Sequence, residues 1–382
     1  MIDWQLEAQK SLKILWGAQV SCTISDTLRD EGRNRAYRLA VTGGPVSSVI
    51  LKASLGDETN PYMGRDDAPG KPFRRFCNEW AGCALLAPLG LGPADFTGNI
   101  DLGFFIMQDL GAGISLADRL IGNDPELATA ALLAYAHSLG ELHAATVGFD
   151  SRWNELRITR GGKNRQPSAA DSWIREFTAF TKICEQFGVA IPGGIAPDLA
   201  RIADAADNPG DYNAFSPTDC CPDNHYLRGH RVIFFDCEGA RMRHALLDTA
   251  YFSVPFPTCW CASKLPDKMP ARMLSAYREH FPGQANFDDQ LTLMRAAWIL
   301  ANLVRGLAGD PDKPDQQWGL VSTRQRHVHH LENLLGSPTL ATLLPSLAMT
   351  LERLFDALRT RWADLPPMPY YPAFKTPVSI QS

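Results

Sequence analysis

The chain has 382 residues, with 37 Lys and Arg against 42 Asp and Glu and a formal charge of −5. Apolar residues make up 45% and charged residues 21%, a balance that excludes global disorder and permits a sizeable core. The mild acidity argues against a dedicated nucleic-acid binder, which carries a basic face, and no run approaches the ~18 apolar residues of a membrane span. The nine cysteines are scattered, unlike a small secreted disulfide framework. The opening MIDWQLEAQK lacks the apolar segment of a signal peptide. A reduced, cytoplasmic chain is the resulting expectation.

Trp4, Leu6, Leu12, Ile14 and Leu15 fall at helical spacing over residues 3–17. Three β-rich segments follow, SCTISDTLRD, AYRLAV and SSVILKAS, separated by the turn-like EGRNR and TGGP. They predict three antiparallel strands. The polar stretch from Gly56 to Pro72 predicts a loop. A helical stripe then runs through Phe76, Trp80, Cys83 and Leu86, followed by the hairpin signal TGNID and the apolar strand LGFFIMQ.

After DLGAG the pattern is helical, in SLADRLIG, PELATAALLAYAHSLGELHAAT and SAADSWIREFTAFTKICEQFG. A β-like interruption at 215–237 carries FSPTDCCPDNHYL and RVIFFDCEG. Helices resume over 271–360, TLATLLPSLAMTLERLFDALRTRWADL among them, and the tail PPMPYYPAF is extended. The expected class is α+β: a small antiparallel sheet with one inserted helix in residues 1–108, and a large, mainly helical part in residues 109–382.

The chemistry concentrates in few places. Asp219 and Asn224 lie in a polar loop flanked by apolar strands, and Asp236 closes the strand VIFF. A tight hairpin between them brings the end of the second strand beside the loop before the first. Two carboxylates and an amide oxygen gathered in this way suit a hard divalent cation, above all Mg²⁺. Lys52 follows SSVIL on the third strand, placed as a point charge for phosphate oxygens. Glu79 on the next helix is its natural partner.

The order Lys…Glu…Asp-x-x-x-x-Asn…Asp resembles the phosphoryl-transfer constellation of the protein-kinase-like bilobal fold. FFIMQDLGAGISLADRL, SLGELHAATVG and RVIFFDCEGARMRHALLDTAYF are similar to segments of the aminoglycoside phosphotransferase and choline kinase family, from about residue 20 to 255. The resemblance implies an ATP-dependent phosphotransferase acting on a hydroxyl of a small molecule, with an aminoglycoside, choline-like or sugar-like acceptor.

On that resemblance Asp219 is the catalytic aspartate, and Asn224 and Asp236 hold Mg²⁺ against ATP. Lys52, fixed by Glu79, contacts the phosphates. Gln108 to Leu110 offer backbone groups to the adenine, and Gly32 with its neighbours covers the phosphates. The sequence departs from the family pattern at Pro217, where a His is usual, and in a phosphate loop with a single glycine. Both departures motivate the alternative of a non-catalytic, kinase-like nucleotide-binding module.

Other residues carry plainer expectations. Glu238 is either a second metal contact or the ion-pair partner of Arg241 or Arg243. Asp248 braces the catalytic loop, and His137 and His143 are packed helix residues. Cysteines 220, 221, 237, 259 and 261 with His225 invite zinc, but their spacing does not match the usual ligand pattern, and small buried hydrophobes are the better reading. His327, His329 and His330 are expected on a solvated helix surface. The aromatic run 251–261 is expected to pack the lobe, ahead of lining an acceptor pocket.

Overall fold

A computed structural model describes residues 2–164, 173–254, 256, 259–281, 286–309 and 312–375. Helix α1 (Trp4–Trp16) starts where Asp3 accepts a hydrogen bond from the Leu6 amide and ends at Gly17. Strands β1 (Ser21–Arg29), β2 (Asn34–Thr42), β3 (Ser48–Ser54), β4 (Asp95–Asn99) and β5 (Phe104–Gln108) form one antiparallel sheet in the order β1-β2-β3-β5-β4. Helix α2 (Pro72–Leu86), opened by Pro72 at its first position, is inserted between β3 and β4.

Strand parity decides what each face of this sheet carries. Leu39 and Val41 of β2, Leu51 and Ala53 of β3, and Phe104 and Ile106 of β5 pack with Trp4, Ala8 and Leu12 of α1. Phe105 points the other way, into Phe73, Phe76 and Cys83 of α2. Lys52 pairs with Phe105 across the β3–β5 ladder, so it lies on the α2 face.

The remaining described residues are mainly helical. After α3 (Leu116–Ile121), set by a Ser115–Asp118 capping box, come α4 (Pro125–Thr146), α5 (Asp150–Ile158), α6 (Ile174–Gln186) and α7 (Ile195–Asp207). Four short strands follow: β6 (Asn213–Ser216), β7 (His225–Arg228), β8 (Arg231–Phe234) and β9 (Arg241–His244). β6 pairs with β9, and β7 with β8. The turn between β7 and β8 is Gly229-His230, with Gly229 at φ +61° supplying the left-handed backbone of a tight hairpin.

Next are α8 (Leu246–Thr249), α9 (Met269–Arg278) and α10 (Phe287–Leu307). The two-residue strands β10 (Gln317–Trp318) and β11 (Val321–Ser322) precede α11 (Thr323–Leu335), α12 (Leu340–Leu343) and α13 (Pro345–Arg361). One continuous apolar core runs through α4, α10, α11 and α13. Among the described residues no helix is long and apolar enough to cross a membrane. Together the sheet part and the helical part make the expected α+β class: a five-stranded antiparallel sheet with one inserted helix, and a mainly helical remainder.

Three expectations change. The helix expected through TLATLLPSLAM breaks at Leu344, because Pro345 lacks an amide to continue it and opens α13 instead. His327, His329 and His330 are buried, because α11 packs against both α10 and α13 and has little solvated face there. The tail is extended only to Tyr371, held by Lys264, and then turns at Pro372–Phe374. Residues 168–172 of the expected helix before α6 lie outside the described residues.

Candidate active site

The Lys52 side chain, on the α2 face of β3, meets two carboxylates. Its Nζ donates to Glu79 Oε1 and, at 2.7 Å, to Asp236 Oδ1. Burial opposes the ammonium charge, but Asp236 and Glu79 outweigh it and hold the pKa above the ordinary lysine value. Glu79 is almost fully buried, and burial raises its pKa despite the Lys52 charge. Its second oxygen has no partner among the described residues. Asp236 is shifted down, first by Lys52, with Arg29 and Arg33 adding to the effect.

Asn224 and Asp236 adjoin because their strands do. His225 opposes Phe234 at the start of the β7–β8 hairpin, and the Phe235 amide donates to the Asn224 carbonyl at 3.3 Å. Asn224 is buried in a single 3₁₀ turn, and its Nδ2 lies 3.5 Å from the Asp219 carbonyl. Asp219 is exposed, and its Oδ1 accepts from the Cys221 amide at 3.2 Å. Desolvation and the charge of Asp236 raise its pKa, against that hydrogen bond. Thr218 and Asp236 both have positive φ, +65° and +62°. Such backbone is costly for side chains with a Cβ and concentrates at functional sites.

The loop is braced from behind. Ser216 Oγ accepts from the Thr218 amide and from Arg243, and donates to Asp248 Oδ1 at 2.9 Å. Arg243 also pairs with Asp248, and His143 Nε2 lies 3.3 Å from Asp248 Oδ2. Burial opposes ionisation of Asp248, yet Arg243, His143 and Ser216 hold its pKa well below the usual carboxylate range. Asp248 thus takes the bracing position expected of it. His143 is packed, as expected, but it also joins this network. The Pro217 side chain has no polar group to offer, and Ser216, one residue earlier, does the bracing.

The glycine turn closes the other side. Gly32 sits at φ +69° between β1 and β2, and the next residue, Arg33, pairs with Glu238. Of the expected partners of Glu238, Arg243 is committed to Asp248, and Glu238 pairs with Arg33, reached from the β1–β2 turn. Asn78 of α2 donates to the Glu238 carbonyl. Gly82 lets α2 run close to this segment, since a Cβ there would lie 2.6 Å from Cys237 Cβ.

Gln108 and Leu110 lie at the end of β5 and just beyond it, both half-buried. The Gln108 amide already donates to Ala94, and its side chain accepts from the Ala94 amide. Asp109, between them, was not singled out from the sequence. It accepts from Arg38 and Ser48 and from the Gly111 amide, which fixes the segment against β2 and β3.

The residues fit a hard cation. Among the described residues, Asn224 Oδ1 and Asp236 Oδ2 carry no hydrogen bond, and both are oxygen donors. The cysteines do not fit zinc. Cys221 and Cys259 form a disulfide, which corrects the expectation of a wholly reduced chain, while Cys220, Cys237 and Cys261 are buried thiols. Bonded sulfurs are not thiolate ligands. His225 is buried, and burial lowers its pKa to about 3.

No family model matches this chain, and no curated protein matches it. Solved structures do resemble it. A choline/ethanolamine kinase family protein from Mesorhizobium loti is 16% identical with a TM-score of 0.47, over 85% of this chain and 93% of that one. Choline kinase from Cryptosporidium parvum is 12% identical with a TM-score of 0.47, over 88% and 94%. An aminoglycoside phosphotransferase from Alicyclobacillus acidocaldarius is 12% identical with a TM-score of 0.46, over 94% and 96%. The functional reading below rests on the side chains.

Proposed function

We propose that this protein is an ATP-dependent small-molecule kinase that moves the γ-phosphoryl group to an acceptor hydroxyl. The carrying observation is a chain of contacts: Lys52 donates to Asp236, Asn224 adjoins the strand end before Asp236, its side-chain amide lies beside the Asp219 carbonyl, and the charge of Asp236 acts on Asp219. An ammonium faces an amide oxygen and two acids there, the set that phosphoryl transfer requires for charge neutralisation and positioning.

In this reading residues 1–108 bind the nucleotide, and residues 109–382 carry the catalytic loop and the acceptor site. Lys52, held by Glu79, grips phosphate oxygens. Asn224 and Asp236 would hold Mg²⁺, which supplies neutralisation of the phosphate charge. Asp219 orients the acceptor hydroxyl and takes its proton; the desolvation that raises its pKa makes it a better base. The turn at Gly32 covers the phosphates. With the Gln108 amide engaged by Ala94, recognition of the adenine falls to the Gln108 carbonyl and the Leu110 backbone. The acceptor is a small alcohol of the aminoglycoside, choline or sugar kind.

The test is transfer of labelled phosphate from ATP to a panel of amino alcohols, sugars and aminoglycosides. Asp219→Asn should lower turnover by about 10²–10⁴-fold while ATP still binds. Unchanged turnover rejects Asp219 as the base. Wild-type protein that binds Mg²⁺-ATP but neither transfers nor hydrolyses it is the non-catalytic module.

A further inference from the structure

The catalytic loop contains a group that phosphoryl transfer does not use. Cys221, two residues after Asp219, is bonded to Cys259. Cys261 Sγ lies 3.2 Å from Cys259 Sγ. Because Cys259 has no S–H in the disulfide, the hydrogen in that contact belongs to Cys261. Burial pushes the Cys261 thiol up to about 12, so it stays protonated and able to donate. The Asp223 carboxylate lies within 4.8 Å of both bonded sulfurs. One of its oxygens accepts from Trp260 Nε1 at 3.1 Å, and the other is buried without a partner among the described residues. An acceptor placed beside two sulfurs that presently carry no hydrogen suits a state in which they do.

We propose that Cys221, Cys259 and Cys261 form a thiol–disulfide exchange site through which a small dithiol reductant releases the catalytic loop. Cys221 is half-buried, whereas Cys259 is 1% exposed, so attack falls on Cys221 Sγ. A thiolate of the dithiol bonds to Cys221 Sγ, and the Cys221–Cys259 bond breaks with its electron pair leaving on Cys259. Cys261 S–H donates a hydrogen bond to the departing thiolate, which then takes a proton. The second thiol of the reductant attacks its own sulfur in the mixed disulfide, leaving Cys221 as a thiol and the reductant as a cyclic disulfide. Two electrons and two protons pass from reductant to protein. In reducing compartments disulfides of this kind are transient and sensing, not structural.

The coupling to catalysis follows from the loop. The Cys221 amide holds Asp219 Oδ1, the Cys221 carbonyl accepts from the Asn224 amide, and the bond to Cys259 ties both to the turn carrying Trp260. Opening the bond removes the covalent anchor of that arrangement. This part rests on the phosphotransfer reading; the exchange chemistry does not.

The experiment treats the air-oxidised full chain with dithiothreitol and follows three readouts. Peptide mapping after alkylation should find Cys221 and Cys259 protected before treatment and labelled after it; labelling of both before treatment overturns the site. Amide hydrogen exchange over 219–224 should speed up on reduction, and unchanged exchange overturns loop release. ATP hydrolysis should fall by about tenfold, as for a displaced catalytic group. The Cys221→Ser/Cys259→Ser double variant should show the lower rate with no response to dithiothreitol. Hydrolysis that is equal in the two states of wild type overturns the coupling. Absence of both hydrolysis and transfer to the acceptor panel in both states sinks the phosphotransfer reading, while mapping and amide exchange still decide the site. Cys261→Ala should slow reduction roughly tenfold, the worth of one hydrogen bond, and leave the oxidised enzyme's turnover unchanged. An unaltered reduction rate removes Cys261 from the site.

Discussion

Lys52 Nζ lies 2.7 Å from Asp236 Oδ1, so the cation assigned to phosphate and the acid assigned to the metal neutralise each other across the cleft. On the proposed function, arrival of a cation-bound triphosphate would exchange this pair for two new ones: ammonium with phosphate, and carboxylate with Mg²⁺. Asp236→Ala should therefore weaken ATP binding in Mg²⁺ by roughly 10–100-fold. Binding in the presence of a chelator should change far less. Calorimetric titration with and without Mg²⁺ checks this; equal losses under both conditions would show that Asp236 does not serve the metal.

Gly82 stands in the middle of α2, where a glycine ordinarily weakens a helix. Its Cβ-less surface lets α2 approach Cys237, the neighbour of Asp236. Gly82→Ala should cost about 1–3 kcal/mol through overpacking. It should also raise the KM for ATP, because Glu79 and Asp236 are pushed apart. Denaturant unfolding with steady-state kinetics separates the two effects. A variant as stable as wild type would show that the contact is not tight.

Arg157 is 1% exposed and is held by both oxygens of Asp67, by Asn78 Oδ1 and by the Lys163 carbonyl. Arg157→Met leaves the Asp67 carboxylate buried without its charge partner, a loss of about 3–5 kcal/mol. Asp67→Asn/Arg157→Met, which removes both charges, should recover part of the loss. The double-mutant cycle is read from urea midpoints, and additive losses would deny the coupling.

Burial lowers His225 to about 3 and His244 and His327 to about 4. These values are below the unfolded histidine value of about 6.5. Above that pH both states are neutral and the groups do not favour unfolding. As pH falls from there toward 4, the unfolded chain takes up protons that the folded chain refuses, so stability is lost across that window. His327 has neither ring nitrogen partnered among the described residues. His327→Leu should make the acid limb shallower and cost little at pH 7. Melting temperatures between pH 4 and 7 test it, and an unchanged slope would exclude His327 as a contributor.

Much of the site was legible because it depends on local rules. The parity of β3 places Lys52 opposite Leu51 and Ala53, and the Gly229 turn brings Asn224 beside Phe235. What could not be read depends on partners chosen by packing. Arg33 meets Glu238 across most of the chain, and no spacing rule favours it over the nearby Arg241 or Arg243. Ser216 takes up the bracing only because β6 lies beside β9, which carries Arg243. The Cys221–Cys259 bond likewise requires two loops to meet, and the three histidines of α11 look solvated until α10 and α13 cover them.

Asn78 stands between two attachments. Its carbonyl oxygen holds Arg157 of α5, and its amide nitrogen holds the backbone of Glu238. It also sits next to Glu79 on α2. One residue thus fastens the sheet's helix to the helical half at two points, close to the groups that would receive phosphate. Arg33, next to Gly32, pairs with the side chain of the same Glu238 whose carbonyl Asn78 holds, so the glycine turn and α2 are tied to one segment. Loss of the Asn78 side chain would therefore detach α2 from α5 and from the Glu238 backbone together, leaving Arg33 as the remaining tie to that segment.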